Sequence, residues 1–463
     1  MSAESPDPKL PPPPLSKPSG ATSQPRHLFA AILSRLPVTV LWALVAQALI
    51  SITRLLTSMT VGGRFGSGSE EQLGYYSNAF SVLMILIAVF EALITTPLTV
   101  FNQKERPKDR PVFSGHMMMS AMLLLGLIAA CAAIWISLEY SFRWLPPELA
   151  AVLIAVVVIA PIQLLREFAR RWLLANLQAR PAAWLEVLFA GLFLATLFVM
   201  VTINQVTAVY VFVLTGIVNL VGLLAWWKIF RKQFSFQRDG FQAQLQENVR
   251  YGRWVAGENV CSALTMYFCN WYLMFRIDEA AAGVFFACFT VVLLANPFLL
   301  GVCSILAPRA AAAFNQSGKR GLIKVLTKFG LLILTVLGLF SVLLWFFGEP
   351  ITNLFFGPKY DAYFQANLDG NNWITAVLSL AMPLMGISYV SAFGLLAINR
   401  PFDNFYSAIA ALLVLVTIAF SFSEPTLMTA AISFVASFFV AALCRTVFLV
   451  RAIYGSEPST RMQ

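Results

Sequence analysis

The sequence has little charge and almost no histidine. Of its 463 residues, 12% are Asp, Glu, Lys or Arg, and only His27 and His116 are histidines. Two histidines cannot supply a His-based metal site, and the Gly-x-x-x-x-Gly-Lys-Ser/Thr motif that cradles nucleotide phosphates is absent. These absences argue against a metalloenzyme and against ATP hydrolysis by this chain.

Cysteine is scarce too. The six cysteines all lie in or at the edge of apolar segments: Cys131, Cys261, Cys269, Cys288, Cys303 and Cys444. In such surroundings we expect them to be small buried hydrophobic residues, not disulfides or zinc ligands. No metal site is therefore predicted.

Hydrophobic residues, by contrast, make up 59% of the sequence. This composition predicts an all-α polytopic membrane protein, and no stretch alternates polar and apolar residues as a β-strand does. Twelve apolar segments are long enough to cross about 30 Å of hydrocarbon as helices. They lie at about 38–60, 75–98, 113–137, 149–169, 182–202, 206–227, 252–274, 280–304, 324–346, 373–397, 403–421 and 426–450.

The net charge of +10 is explained by membrane topology rather than by nucleic-acid binding. With a cytoplasmic N-terminus, 27 of the 32 Lys and Arg residues fall in cytoplasmic segments and four in outer loops, and Arg54 lies inside a span. This asymmetry follows the rule that positive residues stay on the cytoplasmic side. We therefore expect both termini in the cytoplasm, a multi-pass location in the cytoplasmic (inner) membrane, and no nucleic-acid partner.

Two predicted spans carry a polar face. In the first, polar residues recur at helical spacing and form one stripe: Gln47, Ser51, Arg54 and Ser58. An arginine inside a span costs about 2.5–3.5 kcal/mol to insert, so this stripe is expected to avoid lipid. A similar stripe begins 211 residues later and consists of Glu258, Ser262, Thr265 and Cys269. We predict that both stripes face a hydrated cleft.

The two halves of the chain also resemble each other. The segment from Gly74 matches the segment from Gly283, an offset of 209, and further matches keep the same order at nearly the same offset. Twelve spans as six plus six give two like-oriented lobes, related by an axis along the membrane normal. The predicted parts are a disordered proline-rich cytoplasmic tail, a six-helix lobe, an interfacial linker, a second six-helix lobe and a cytoplasmic tail, at 1–36, 37–227, 228–251, 252–452 and 453–463.

Two motifs carry a resemblance to a known family. Gly74-Tyr75-Tyr76 opens the second span, and the sequence Leu-Phe-Phe-Gly-Pro-Lys-Tyr-Asp-Ala at 354–362 precedes the tenth. With the two lobes, this pattern resembles the multidrug/oligosaccharidyl-lipid/polysaccharide exporter (MOP) superfamily and, within it, the flippases of O-antigen-type lipid-linked oligosaccharides. The resemblance covers about residues 36–452. It implies a MATE-like fold whose lobes rock to expose a central cleft to either side of the membrane.

The candidate substrate-binding residues come from the stripes and neighbouring spans: Gln47, Ser51, Arg54, Ser58, Ser262, Thr265, Asn270 and Asn296. Arg54 is singled out because a guanidinium matches the geometry of a phosphate. The alternative for Arg54 is a carboxylate partner, or a side chain that reaches the outer headgroups.

Two acids and three prolines are further candidates. Glu258 and Glu91 are candidate proton-coupling groups, because a carboxylate in a low dielectric exchanges its proton as its surroundings change. The alternative is an ion pair, for Glu258 with Arg250, Arg253 or another basic residue and for Glu91 at the inner rim. Prolines inside spans bend helices, and the candidate hinges are Pro297, Pro161 and Pro383.

These observations predict a flippase that moves an isoprenoid-linked oligosaccharide or polysaccharide precursor across the cytoplasmic membrane by alternating access. Its partners are then the lipid-linked substrate, the bilayer and a polysaccharide polymerase or glycosyltransferase, with no cofactor. The alternatives are a cation-coupled multidrug antiporter of the same superfamily, a membrane ligase or acyltransferase, and a non-transporting subunit of a polysaccharide export complex. An antiporter is disfavoured because the first span contains no acidic residue. An enzyme is disfavoured because the sequence offers no catalytic histidine and no large outer loop.

Overall fold

The computed structural model describes residues 38–102, 105–357, 360 and 373–454. Within these ranges all regular structure is helical, and no strand is present. The predicted proline-rich tail, nearly all of the C-terminal tail and four residues of the 354–362 motif lie outside the described residues.

The first half of the chain forms six long helices. They are α1 (Val38–Val61), α2 (Glu70–Phe101), α3 (Arg110–Phe142), α4 (Pro147–Ala175), α5 (Ala179–Thr202) and α6 (Ala208–Phe230). Inside α2, one turn of π-helix at Glu91–Thr95 interrupts the α-helix. Such π-turns are rare and are frequently found at functional sites.

The second half forms α7 to α13. They are α7 (Phe241–Arg276), α8 (Glu279–Val292), α9 (Asn296–Phe356), α10 (Ile374–Ser379), α11 (Ala381–Ala397), α12 (Pro401–Ser421) and α13 (Leu427–Tyr454). Within α9, Gly318 breaks the helix, with φ 60° and ψ −151°, a conformation that favours glycine. The break lies between the eighth and ninth predicted spans.

Nine helices within the described ranges are long and apolar enough to cross a membrane, with Glu279–Phe356 taken as one. On α3, Leu127 and Ile134 are each 61% exposed, and this helix is the least buried of the nine. Large apolar side chains on an open helix face are suited to lipid rather than water.

The second helix of each half begins in the same way. Ser69 caps α2, because its hydroxyl oxygen accepts a hydrogen bond from the Gln72 backbone N–H (3.3 Å). Asp278 caps α8 through a carboxylate oxygen that accepts from the Ala281 backbone N–H (2.6 Å). Each cap satisfies a helix N–H that has no partner within its own helix. Positions 69 and 278 are separated by the 209 residues of the sequence repeat.

Helices α2 and α8 then cross at two glycines. A Cβ added at Gly74 would lie 1.9 Å from the carbonyl oxygen of Glu279, and one added at Gly283 would lie 1.9 Å from that of Glu70. Glycine at both positions lets the two backbones touch. Both pairs obey the 209-residue offset, so the contact is reciprocal, as an axis between like-oriented repeats produces.

Tyr360 closes the same end of the molecule. Its side chain is 1% exposed, and its hydroxyl donates to the carbonyl oxygen of Gly62 at the end of α1 (3.2 Å). Burial, and next the carboxylate of Glu70, raise the pKa of Tyr360 well above its ordinary value, so the hydroxyl keeps its proton. The chain that follows α9 is thereby tied to α1.

The linker between the halves, predicted at 228–251, is helical only at its two ends. A 3₁₀ turn at Arg231–Gln233 is followed by irregular chain up to Gly240, which has φ 79°, and α7 begins at Phe241. Residues 234–240 are irregular, and residues 241–251 of the predicted linker belong to α7.

The physical reason is that the linker is pinned to the first half. The Ser235 backbone N–H donates to the Pro111 carbonyl oxygen (2.9 Å). The Phe234 ring is buried, with its centroid 5.0 Å from that of Trp172 and 5.7 Å from that of Trp226. Burial of this ring stabilises an extended chain where a surface helix would leave it in the headgroups.

Candidate substrate site

The polar stripe of α1 faces a gap between α1 on one side and α8 and α9 on the other. Gln47 and Ser304 of α9 line one cavity in this gap, of about 750 Å³, which we call the Gln47 cavity. Another, the Asn296 cavity, also encloses about 750 Å³ and includes Asn296 and Tyr267 of α7. The polar α1 residues that line it are Ser51, Arg54 and Ser58.

A third cavity, the first-half cavity, lies among α1, α2, α4, α5 and α6. It encloses about 770 Å³. Five aromatic side chains form much of its wall: Tyr76, Phe80, Phe189, Phe193 and Phe212. Arg54 lines both this cavity and the Asn296 cavity, so its guanidinium lies in the wall that the two share.

Arg54 is exposed to these cavities, and its guanidinium carbon lies 5.6 Å from the centroid of the Phe80 ring. Within the part of the chain that the structure describes, no carboxylate forms a salt bridge with it. An exposed guanidinium beside an aromatic face, without a counter-charge, is suited to bind an anion.

The polar stripe of α7 faces its own half of the chain and not the gap. Glu258 Oε1 lies 2.9 Å from Arg445 Nη2 of α13, and Arg445 Nη1 donates to the Ser388 hydroxyl (2.9 Å). The prediction that this stripe faces the cleft is wrong. The reason is that the Arg445 side chain is only 6% exposed, and a buried guanidinium needs a carboxylate partner.

The other α7 candidates follow the same face. Ser262 and Thr265 line the second-half cavity, which encloses about 410 Å³ and includes Tyr389. The Thr265 hydroxyl donates to the Cys261 carbonyl oxygen (2.8 Å). Asn270 is buried, and neither its Nδ2 nor its Oδ1 has a hydrogen-bond partner in the described parts of the chain.

Glu91 lies in the π-turn of α2 and forms a salt bridge with Arg171 of α4. This contact opens a chain of ion pairs in which glutamates and arginines alternate: Glu91, Arg171, Glu167, Arg170, Glu186 and Arg166. Its longest separation is 3.9 Å, between Arg170 Nε and Glu186 Oε1. The three positive and three negative charges sum to zero and join α2, α4 and α5.

The sequence does not reveal the whole network, but it contains a signal for one part of it. That signal is the run Arg-Glu-Phe-Ala-Arg-Arg at 166–171, where helical spacing places Glu167 one turn from both Arg170 and Arg171. The same arginines are read from the sequence only as cytoplasmic positive charge. Glu186 and Arg166 also line the first-half cavity.

The candidate hinges lie in three different settings. Asn296 and Pro297 begin α9 directly after the 3₁₀ turn Leu293–Ala295. Pro161 lies inside α4, which remains one helix from end to end. Pro383 lies in the first turn of α11, after the short helix α10.

The described residues contain no group of three or more His, Cys, Asp or Glu side chains placed to hold a metal ion. Among the cysteines, Cys269, Cys288 and Cys303 are buried, whereas Cys131 is exposed on α3. The expectation of burial is therefore wrong for Cys131, because that part of α3 packs against little of the protein.

No family model and no curated protein sequence matches the chain. Solved structures do. An inward-facing multidrug resistance MATE family transporter of the MOP superfamily matches with a TM-score of 0.70 at 18% identity, over 88% of this chain and 94% of that chain. An outward-facing structure of the same description matches with a TM-score of 0.69 at 15% identity, over 90% of this chain and 95% of that chain.

A MOP superfamily transporter from Pyrococcus furiosus, described as having a binding pocket of reverse polarity, gives a TM-score of 0.67 at 15% identity, over 89% of this chain and 94% of that chain. Identities this low speak for the fold alone. They confirm the predicted MATE-like fold, and the nine apolar helices within the described ranges agree with it. The chain is thus a multi-pass membrane protein with the fold of the MATE family transporters of the MOP superfamily.

Proposed function

We propose that the protein is a flippase that carries an isoprenoid-linked oligosaccharide or polysaccharide precursor across the cytoplasmic membrane by alternating access. The observation that carries this proposal is Arg54, a cation in the wall between two cavities, with no carboxylate partner among the described residues. Such a substrate has a phosphate group between its lipid and its sugars, and Arg54 is assigned to bind that phosphate.

The energetic argument starts from the arginine itself. Placing a guanidinium inside a membrane span costs about 2.5–3.5 kcal/mol, and a charge-assisted hydrogen bond to phosphate contributes about 1.5–3 kcal/mol. The two terms are of similar size, so an anionic ligand can offset the penalty of the unpaired charge. A guanidinium also binds two phosphate oxygens at once, which fixes the orientation of the ligand.

The two sides of the molecule differ in a way that suits a lipid tail. Between α2 and α7, Trp271 Nε1 donates to the Ser81 hydroxyl (2.5 Å), and Asn78 Nδ2 lies 3.1 Å from Met274 Sδ. Between α1 and α9 lies the Gln47 cavity instead. In the proposal, the isoprenoid tail stays in the bilayer beside this open side while the polar head enters.

A cation-coupled drug antiporter is the competing proposal, and charge argues against it. A cationic substrate requires an available carboxylate, but Glu186 in the first-half cavity is paired with Arg166, and Glu258 is paired with Arg445. The segment 38–61 contains no acidic residue at all. An anionic substrate matches this arrangement better.

The proposal includes the topology predicted from the sequence: twelve spans in two six-helix lobes, with both termini cytoplasmic. The Gly74–Gly283 crossing and Tyr360 then lie at the outer end, and the Gln47 cavity lies towards the cytoplasm. This arrangement is that of an inward-facing state. To open the outer end, the two lobes would separate at the crossing, with Pro297, Pro161 and Pro383 as hinges.

Glu258 and Glu91 are the proton-exchanging candidates of the same proposal. Each carboxylate is held by one arginine of another helix, Arg445 and Arg171 respectively. Protonation would remove the negative charge and release that arginine, so either pair is able to couple a proton to helix movement.

The test uses purified protein in liposomes and a fluorescent isoprenyl-diphosphate-linked oligosaccharide, with movement between leaflets read by quenching from outside. Arg54→Ala is expected to slow translocation about 10–100-fold, the effect of losing a charged hydrogen bond. Arg54→Lys keeps the charge and is expected to retain part of the rate. The matched control is Arg309→Ala, which removes a guanidinium 5.8 Å from the Phe329 ring and is expected to leave the rate unchanged.

A wild-type rate in Arg54→Ala would remove Arg54 from the mechanism. If the wild-type protein moves no glycolipid but exports a cationic dye against a proton or sodium gradient, the antiporter proposal replaces the flippase proposal.

A further inference from the structure

The first-half cavity carries an inference that rests on the proposed function and goes beyond it. We infer that this cavity is a carbohydrate subsite, which takes the first sugar residues of the lipid-linked substrate while Arg54 holds its phosphate. The sequence predicts a site in the cleft between the lobes, whereas this cavity lies wholly within the first half of the chain.

The first argument is that polar side chains line this cavity between apolar helices. Besides Arg54, they are Thr53, Thr57, Gln163, Arg166, Glu186, Thr215 and Asn219. A lining with this many hydroxyl, amide and charged groups favours a polar ligand over a purely apolar one.

The second argument is a pair of amides. Asn219 Nδ2 donates to Gln163 Oε1, and no other hydrogen bond in the described part of the chain uses Gln163 Nε2 or Asn219 Oδ1. Both amides line the cavity. Together they offer one donor and one acceptor side by side, and a sugar hydroxyl is both a donor and an acceptor.

The third argument is the aromatic wall. The Tyr76 ring stacks against Phe212, with centroids 5.1 Å apart and an interplanar angle of 20°. The Arg166 guanidinium lies 4.4 Å from the centroid of the Phe189 ring, which fixes that ring beside the ion pair. A sugar ring has apolar C–H faces and polar edges, so it matches a cavity of aromatic faces interspersed with amides and hydroxyls.

The charges of the cavity lining favour a sugar over other classes of ligand. Arg166 is neutralised by Glu186, so apart from Arg54 the lining has no excess charge. A phosphate alone does not need the amides, and an organic cation would find no free carboxylate. A neutral polyol attached to a phosphate at Arg54 satisfies both the charged and the uncharged groups.

The position of Arg54 sets the direction of the substrate. Because Arg54 lines the first-half cavity and the Asn296 cavity, a phosphate bound there has one cavity on each side. The sugars extend into the first-half cavity and the lipid extends towards the gap beside α9.

The experiment compares two probes on purified protein in lipid nanodiscs. One probe is isoprenyl diphosphate without sugar, and the other is the same lipid with its oligosaccharide attached. The double variant Gln163→Ala/Asn219→Ala is expected to raise the Kd for the glycolipid about tenfold, the effect of one or two lost hydrogen bonds, and to change the Kd for isoprenyl diphosphate by less than twofold. Arg54→Ala is expected to raise the Kd for both probes.

The matched control is Gln244→Ala, which breaks another amide–amide hydrogen bond, from Gln244 Nε2 to Asn248 Oδ1 (3.1 Å) in α7. It is expected to change neither Kd. If the double variant does not fold, Phe189→Leu tests the aromatic wall with the same two probes and the same expected difference.

Equal affinity of the wild-type protein for the two probes would overturn the inference, as would equal losses, or no losses, for both probes in the double variant. In those cases the flippase proposal stands if glycolipid binding depends on Arg54. If the wild-type protein binds no glycolipid at all, the proposed function itself fails.

Discussion

Each half of the chain encloses a cavity, and the two cavities differ in both size and chemistry. The first-half cavity has about 770 Å³, an aromatic wall and Arg54, which is exposed to it. The second-half cavity has about 410 Å³ and two aromatic lining residues, Tyr389 and Phe438, among small residues and methionines. Its arginine, Arg445, is buried against Glu258. One cavity offers a cation to a ligand, and the other has its cation paired within the protein.

The difference shows which features a repeat must keep and which may diverge. The two halves share a helix crossing at Gly74 and Gly283 and caps at Ser69 and Asp278, all of which involve the backbone. The side chains that line the first-half and second-half cavities are much less alike. The fold depends on these backbone contacts, so the side chains that line the two cavities are free to differ.

The largest expected effect comes from breaking the ion pair between Glu258 and Arg445 beside the second-half cavity. Arg445→Ala leaves Glu258 without its partner, and removing one member of a buried ion pair typically costs about 3–5 kcal/mol. We expect a clear fall in the unfolding temperature of the purified protein in detergent. Arg54→Ala, which removes an unpaired guanidinium, is expected to change that temperature little.

The control for Arg445 is the double variant Glu258→Gln/Arg445→Met, which removes both charges and should recover most of the stability. An Arg445→Ala protein as stable as the wild type would show that the two arginines do not differ in role.

The shared crossing is expected to be equally sensitive in both halves. Gly74→Ala and Gly283→Ala each place a methyl group against a backbone carbonyl oxygen, and overpacking of this kind costs about 1–3 kcal/mol. Both variants should lower the unfolding temperature by similar amounts. The matched control is Gly338→Ala, which has no atom within 4 Å of the added Cβ and should be neutral or stabilising by about 0.5–1 kcal/mol. Unequal effects at 74 and 283 would contradict the reciprocal contact.

The smallest effect is expected from making the first-half cavity resemble the second. Ile50 lines the same cavity as Arg54, one helical turn before it, so Ile50→Glu brings a carboxylate within reach of the guanidinium. Affinity for isoprenyl diphosphate should fall about tenfold, as loss of a charged hydrogen bond of about 1.5 kcal/mol gives. The uncharged control Ile50→Gln should bind within twofold of the wild type, and equal losses in the two variants would point to shape rather than charge.

Helical spacing predicts that each polar stripe lies on one helix face. The prediction that the stripe faces a cavity between the halves agrees with the structure for α1 and not for α7. Residues at i, i+4 and i+7 share a face in any helix, so the grouping of Arg54 with Ser51 and Ser58 follows from the sequence. What lies opposite a face is decided by distant chain. Glu258 meets Arg445, 187 residues away, and nothing in the local pattern of α7 reveals that partner.

The same limit applies to the first-half cavity. Gln163 and Asn219 each lie one helical turn from another polar residue, Arg166 and Thr215, but the sequence does not show that the two amides face each other. Their pairing brings together α4 and α6, which are far apart in sequence. The offset of 209 residues, in contrast, predicts that α2 and α8 are equivalent helices, and their crossing at Gly74 and Gly283 obeys that equivalence.

The alternating chain of three glutamates and three arginines across α2, α4 and α5 has a consequence for energetics in a charged membrane. Moving one elementary charge through the field takes about 2.3 kcal/mol per 100 mV. Since the six charges cancel, a shift of these helices as a unit does almost no electrical work. Arg54 has no such compensation among the described residues, so a bound phosphate group would change the net charge that moves with it, and the loaded and empty protein would respond differently to the membrane potential.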